Sequence, residues 1–177
     1  MIEICLDPQQ QGQAQGGLPY PDDAEDRDAR QAALGTAERL LAELRGGSTP
    51  EEELNKRLLA NQLLLATADK RNVEKAVQDL TAVVSAEAES HREPVGAVLL
   101  LANGLLLQKQ TQRARNQLKR LARTPWTVEQ ANHLERAWLL LADLYIHQGK
   151  QELAADLLRR VLQHNQVTAM WGWGMTV

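Results

Sequence analysis

Phenylalanine is absent from this 177-residue chain, and two tyrosines and four tryptophans supply all its aromatic rings. A core must then be built from Leu, Ala and Val, which suits closely packed helices better than a sandwich of aromatic and β-branched strands. Cysteine is nearly absent as well. The lone Cys5 rules out an internal disulfide and fits a reducing compartment. No basic residue lies near it in sequence to stabilise a thiolate, so it reads as a buried apolar thiol. Long apolar runs are missing too. The longest uncharged stretch, Pro94 to Gln108, includes Asn103 and Gly104 and falls short of the about 20 apolar residues of a spanning helix. Met1-Ile-Glu-Ile-Cys5 lacks the positive start of a signal peptide. Finally, neither sign of charge dominates: a net −3 is too small to call for a nucleic-acid or membrane partner. These absences predict a soluble intracellular protein without membrane insertion.

Residues 1–6 read as the end of a helix. Residues 7–29 are Gln, Gly, Pro and Asp with few apolar side chains, a composition that buries too little surface to offset its ordering entropy and reads as a disordered loop. The acidic set Asp22, Asp23, Glu25, Asp26 and Asp28 falls in that loop. From Arg30 to Arg45 the spacing of Ala33, Ala37, Leu40, Leu41 and Leu44 predicts an amphipathic helix that Gly46-Gly47 ends. Thr49-Pro50-Glu51-Glu52 reads as a capped start, with Thr49 as N-cap and Glu52 closing a capping box, for a helix to about Ala68. Further helices are expected over 73–88, 95–107, 111–123, 130–147 and 151–165. No alternating strand pattern competes, so the chain is all-α.

Two helix pairs repeat. With Glu135 as the first position of a 34-residue frame, Trp138, Leu141, Ala142 and Tyr145 take positions four, seven, eight and eleven. Ala154, Leu158 and Val161 follow at twenty, twenty-four and twenty-seven. This is the tetratricopeptide pattern, lacking only its closing Pro, where Gln166 stands. Small Ala142 and Ala154 allow close helix approach, Trp138 and Tyr145 fill the space between helices, and Gly149 supplies the turn. An earlier copy has Val98, Leu101, Ala102, Leu105, Ala114, Leu118 and Leu121 in these places. A degenerate one keeps Ala76, Leu80 and Val83 within residues 30–94. The expected organisation is a right-handed superhelical solenoid of antiparallel helix pairs, with repeats at 95–128 and 135–168 and an irregular apolar tail at 169–177. About three repeats are needed for stability, so the chain reads as a piece of a longer solenoid.

No catalytic, cofactor or metal site emerges. Asp143 and His147 share a helical face, but no third ligand follows at helical spacing. Ser48, Ser85 and Ser90 lack a nucleophile-elbow setting, and Gly46-Gly47-Ser48-Thr49 lacks the spaced Gly and Lys of a phosphate loop. One charge pattern stands apart: Lys109, Arg113, Arg115, Lys119, Arg120 and Arg123 contain no acidic residue among them. A solvated outer face is the ordinary reading and a docking surface for an acidic protein segment the next. Nucleic acid ranks last, because only Trp126 is near enough to stack on a base.

The segments Thr111–Trp126 (TQRARNQLKRLARTPW) and Glu135–Asn165 (ERAWLLLADLYIHQGKQELAADLLRRVLQHN) closely resemble the tetratricopeptide repeat protein 21 family, the large repeat subunit of intraflagellar transport complex A. MIEICLDP at the start, TAERLLAEL (Thr36 to Leu44) and NVEKAVQDL (Asn72 to Leu80) are similar to that family too. The resemblance implies a non-enzymatic scaffold at the cilium, its base and the cytoplasm. Its expected partners are other subunits of that complex and ciliary cargo, with a role in retrograde transport and in bringing proteins to the cilium. Family members are long solenoids, so this chain is expected to be a fragment. The alternative is a generic tetratricopeptide adaptor or co-chaperone that grips peptide segments. Such grooves present Lys, Arg and Asn from first helices, where this chain has Val98, Asn103, Trp138 and Asp143.

Overall fold

The computed structural model describes residues 24–43, 49–89 and 94–172. They form seven helices: α1 (Ala24–Glu43), α2 (Pro50–Ala66), α3 (Lys70–Glu89), α4 (Val95–Leu107), α5 (Thr111–Leu121), α6 (Ala131–His147) and α7 (Gln151–Gly172), with no strand among the described residues. The chain divides into two units, residues 1–33 and 34–177. The described part of the first is the opening of α1, and the second holds the rest of α1 and α2 to α7.

The two largest boundary differences from the sequence reading are at the start of α1 and the end of α7. Helix α1 begins at Ala24, inside the span taken for a loop. The sequence at its start, Ala24 to Asp28, is acidic, and an acidic first turn suits the positive end of a helix dipole. Acidic composition there signals a helix start rather than solvation alone. Helix α7 continues to Gly172, past the expected stop at Asn165 and into the stretch read as an irregular tail. Gln166 to Trp171 contain neither Gly nor Pro to break it. Cys5, the helix end at 1–6 and residues 173–177 lie outside the described residues.

The helix starts and turns have local causes. The Thr49 hydroxyl accepts from the Glu52 amide while a Glu52 carboxylate oxygen accepts from the Thr49 amide, both at 3.2 Å, and Pro50 needs no donor at N1. Asp69 Oδ1 accepts from the amides of Arg71 and Asn72, so α3 starts earlier than its apolar pattern. The α4–α5 and α6–α7 turns are the same Schellman closure. In one, the Lys109 and Gln110 amides donate to the carbonyls of Leu106 and Leu105; in the other, Gly149 and Lys150 donate to Ile146 and Tyr145. The closure needs a left-handed residue. Gly149 takes it at φ 71°, whereas Lys109 takes it at φ 60° and Ala68 holds a similar value of 54° after α2.

Helix α4 carries no charge and buries Val95, Ala97, Val98, Leu99, Leu101, Ala102, Gly104 and Leu105. It packs against α2, α3, α5 and α6. Gly104 makes the α3 approach feasible: a Cβ there would lie 2.6 Å from Val77 Cγ2 and 3.1 Å from Leu65 Cδ2. Beside this apolar seam, α2 and α3 share a polar clamp. Arg57 donates from Nε to both Asp79 oxygens at 3.0 and 2.9 Å and pairs with Oδ1 through Nη2. Asn61, only 3% exposed, donates from Nδ2 to Asp79 Oδ2 at 2.6 Å and to the Arg57 carbonyl. Hydrogen bonding from Arg57, followed by that from Asn61, holds the Asp79 carboxyl below its usual range despite partial burial.

Gly104→Ala is expected to destabilise the chain by about 1–3 kcal/mol through overpacking against Val77; a denaturant midpoint unchanged from wild type would contradict this. Because the Asp79 pKa is depressed by folding, its contribution is present above the unfolded carboxyl range and is lost as pH falls through the folded value. Denaturation curves at neutral pH and at about pH 3 should therefore show a smaller acid loss for Asp79→Asn than for wild type.

Candidate functional site

The repeat-packing residues can now be placed. Val98, Leu101, Ala102, Leu105, Ala114, Leu118 and Leu121 are buried in the α4–α5 pair. Trp138, Leu141, Ala142, Tyr145, Ala154 and Val161 are buried in the α6–α7 pair. Ala76, Leu80 and Val83 of the degenerate copy are buried as well. Leu158 departs from its assigned place: it is 38% exposed, and Leu157 is buried instead.

The reason lies in the neighbours. Ala114 and Ala154 are 40 residues apart, so Leu158 corresponds to Leu118, which is fully buried because α6 packs against α5. In the same way Leu139 is 46% exposed where its counterpart Leu99 is 4% exposed. No described helix follows α7, so the face that α6 covers on one pair is open on the next. Leu139, Ile146, Leu158 and Leu162 are its exposed apolar residues.

Arg113, Arg115, Lys119, Arg120 and Arg123, the cations of that run on α5 and just after it, do not form one cluster. Arg115 is committed internally: Nη1 donates to Gln148 Oε1 in the α6–α7 turn at 2.7 Å and Nη2 to Gln112 Oε1. Arg113 donates to Gln110 Oε1 and lines a groove with Lys70, Glu74 and Gln108 at the α3 edge. Lys119, Arg120 and Arg123 do converge. With Asn116, Thr124 and Pro125 they line a groove of about 660 Å³ at the C-terminal end of α5.

Sequence reading missed the aromatic cluster beside that end. Trp126 stacks on His164 with centroids 4.7 Å apart and planes 14° apart, and Trp138 lies 5.2 Å from the same imidazole. Three residues this far apart in sequence share no local signal. The indole of Trp126 is thereby used inside the fold. Elsewhere, His147 Nδ1 lies 2.9 Å from the Asp143 carbonyl oxygen, and both side chains are exposed. Among the described residues no three His, Cys, Asp or Glu side chains gather where they could hold a metal ion, and no helix is long and apolar enough to cross a membrane.

Antiparallel helix pairs recurring every 38 or 40 residues, stacked through Ala and Leu with charged outer faces, define a helical-repeat protein. The chain belongs to the tetratricopeptide repeat protein 21 family. Residues 36–174 match the family model described as the tetratricopeptide repeat protein 21 C-terminal ARM domain. The ARM description suits the observed spacing, because armadillo and HEAT repeats run to about 40–47 residues whereas tetratricopeptide repeats keep 34. The chain is 40% identical over 173 residues to human tetratricopeptide repeat protein 21B and 42% identical over 170 residues to mouse tetratricopeptide repeat protein 21A. Each alignment covers 94% of this chain and 13% of the relative. The Caenorhabditis elegans homolog is 33% identical over 108 residues, covering 61% of this chain and 8% of that protein.

The burial contrast makes a paired prediction. Leu118→Asp should abolish the cooperative helical melt by placing a charge in the α5–α6 seam, while Leu158→Asp should change stability by less than about 1 kcal/mol. Equal damage from both, read by circular dichroism, would mean that the α7 face is covered.

Proposed function

We propose that this chain is a non-enzymatic, protein-binding segment of a subunit of intraflagellar transport complex A. In this reading it acts in retrograde intraciliary transport and in localising proteins to the cilium. Its partners are other subunits of the complex and ciliary cargo, and it works at the cilium, the ciliary base and in the cytoplasm. The observation that carries this reading is the family match across residues 36–174. Because the chain spans 13% of the length of the human and mouse relatives named above, the activity belongs to a scaffold much longer than this segment.

The physical arrangement suits the role. A stack of helix pairs is stiff along its seams, so side chains on its outer faces keep fixed spacing and lose little entropy when a partner binds. Two kinds of surface are available: the apolar edge of Leu139, Ile146, Leu158 and Leu162, and the cationic groove of α5.

Affinity purification of the tagged full chain from ciliated cells, with quantitative mass spectrometry, tests the proposal. Subunits of the transport complex should be enriched well above a tag-only control, and the unfolded Leu118→Asp variant should lose them. Recovery of no transport subunit by the folded chain would overturn the reading.

A further inference from the structure

We propose that the groove at the C-terminal end of α5 binds an acidic segment of a partner protein, with Lys119 and Arg123 as its principal contacts and Arg120 and Asn116 beside them. The inference deepens the scaffold reading and rests on it for the class of partner. It starts from a charge distribution that packing does not require. Residues 94–128 contain six Lys and Arg, at positions 109, 113, 115, 119, 120 and 123, and no Asp or Glu.

Internal comparison separates the groove from the needs of the fold. On α3 the positions equivalent to Lys119, Arg120 and Arg123 are Thr81, Ala82 and Ser85, so a second helix packs without cations there. On α7 the equivalent of Lys119 is Arg159, which pairs with Asp156 one turn earlier. The equivalent of Asp156 on α5 is Asn116. A neutral amide thus stands where the sister helix keeps a carboxylate. Among the described residues, neither Lys119 nor Arg123 has a carboxylate partner. Arg160 adds a further cation by donating from Nη1 to the Ala122 carbonyl at 3.3 Å. The α5 dipole offsets only about half a unit of positive charge at this end, less than the two charges of Lys119 and Arg123.

The groove selects carboxylates on a polypeptide over nucleic acid. Single-stranded nucleic acid binding draws much of its affinity from aromatic stacking, and the indole next to the groove in sequence, Trp126, is stacked on His164 within the fold. What the groove offers is a set of side-chain donors at one-turn spacing, Asn116, Lys119, Arg120 and Arg123, beside the ring of Pro125. That set matches a run of Glu or Asp side chains, with affinity that weakens as salt screens it.

The test uses the full chain and fluorescence anisotropy with a labelled poly-glutamate peptide, a poly-uridine strand and a neutral Gly-Ser peptide. Poly-glutamate should bind more tightly than either control. Lys119→Glu/Arg123→Glu should weaken it on the order of tenfold or more, and the milder Lys119→Gln/Arg123→Gln pair should weaken it less. Lys75→Glu/Lys150→Glu, which changes net charge equally, should leave it nearly unchanged. Equal loss in the Lys75/Lys150 pair, no peptide binding at low salt, or tighter binding of poly-uridine would each overturn the groove. None of these outcomes bears on recovery of transport subunits by the folded chain, so the scaffold reading stands or falls on its own purification experiment. Circular dichroism of each variant confirms folding, since Lys119 and Arg123 are exposed.

Discussion

Burial of α4 is the constraint on which the remaining packing depends. Its sequence, VGAVLLLANGLLL, holds no charge, and it packs against α2, α3, α5 and α6. A helix that is apolar all round must be surrounded. With so few aromatic rings in the chain, the surrounding helices meet it mostly through small and aliphatic side chains. Gly104 brings α4 against Val77 and Leu65, and the fully buried Ala114 does the same for α5. Close approach takes the place of bulk. Among the described residues, Trp138 and Tyr145 are the large rings buried in the core, and both belong to the pair that follows.

Most of the architecture was legible because its signals are local. The all-α class, the capping box at Thr49 and Glu52, the turn at Gly149 and the recurrence of helix pairs follow from residues within a turn or a helix pair. What escaped was relational. Whether Leu158 is buried depends on a helix beyond it rather than on its own pattern, so frame and burial part company at the open face. The Arg57–Asp79–Asn61 clamp joins residues 22 and 18 positions apart, and the stacking of Trp126 on His164 is longer still in sequence. The start of α1 was misjudged because acidic residues serve equally well as a helix opening and as solvated loop. The spacings of 38 and 40 between repeats are legible in the sequence too, and they sit nearer the length of the armadillo repeats that the family model names.

The candidate surfaces were half legible. The cationic run is visible in sequence, but only the fold separates Arg115, spent on the Gln148 side chain, and Arg113, at another edge, from the three cations that converge. Comparing a repeat with its sister exposes such features. Where equivalent positions differ in charge while the packing stays the same, the difference belongs to the surface and to what it meets. The same comparison marks the open apolar edge of α6 and α7.

Native-state hydrogen exchange, resolved by helix, tests the central claim that the stack is organised around α4. Amides of α4 and of the α3 and α5 segments facing it should exchange slowest, by openings close in free energy to global unfolding. Those of α7, which packs on α6 alone among the described helices, should exchange sooner. If α4 exchanged as fast as α7, or if α7 opened only with the whole chain, the stack would not be organised around α4.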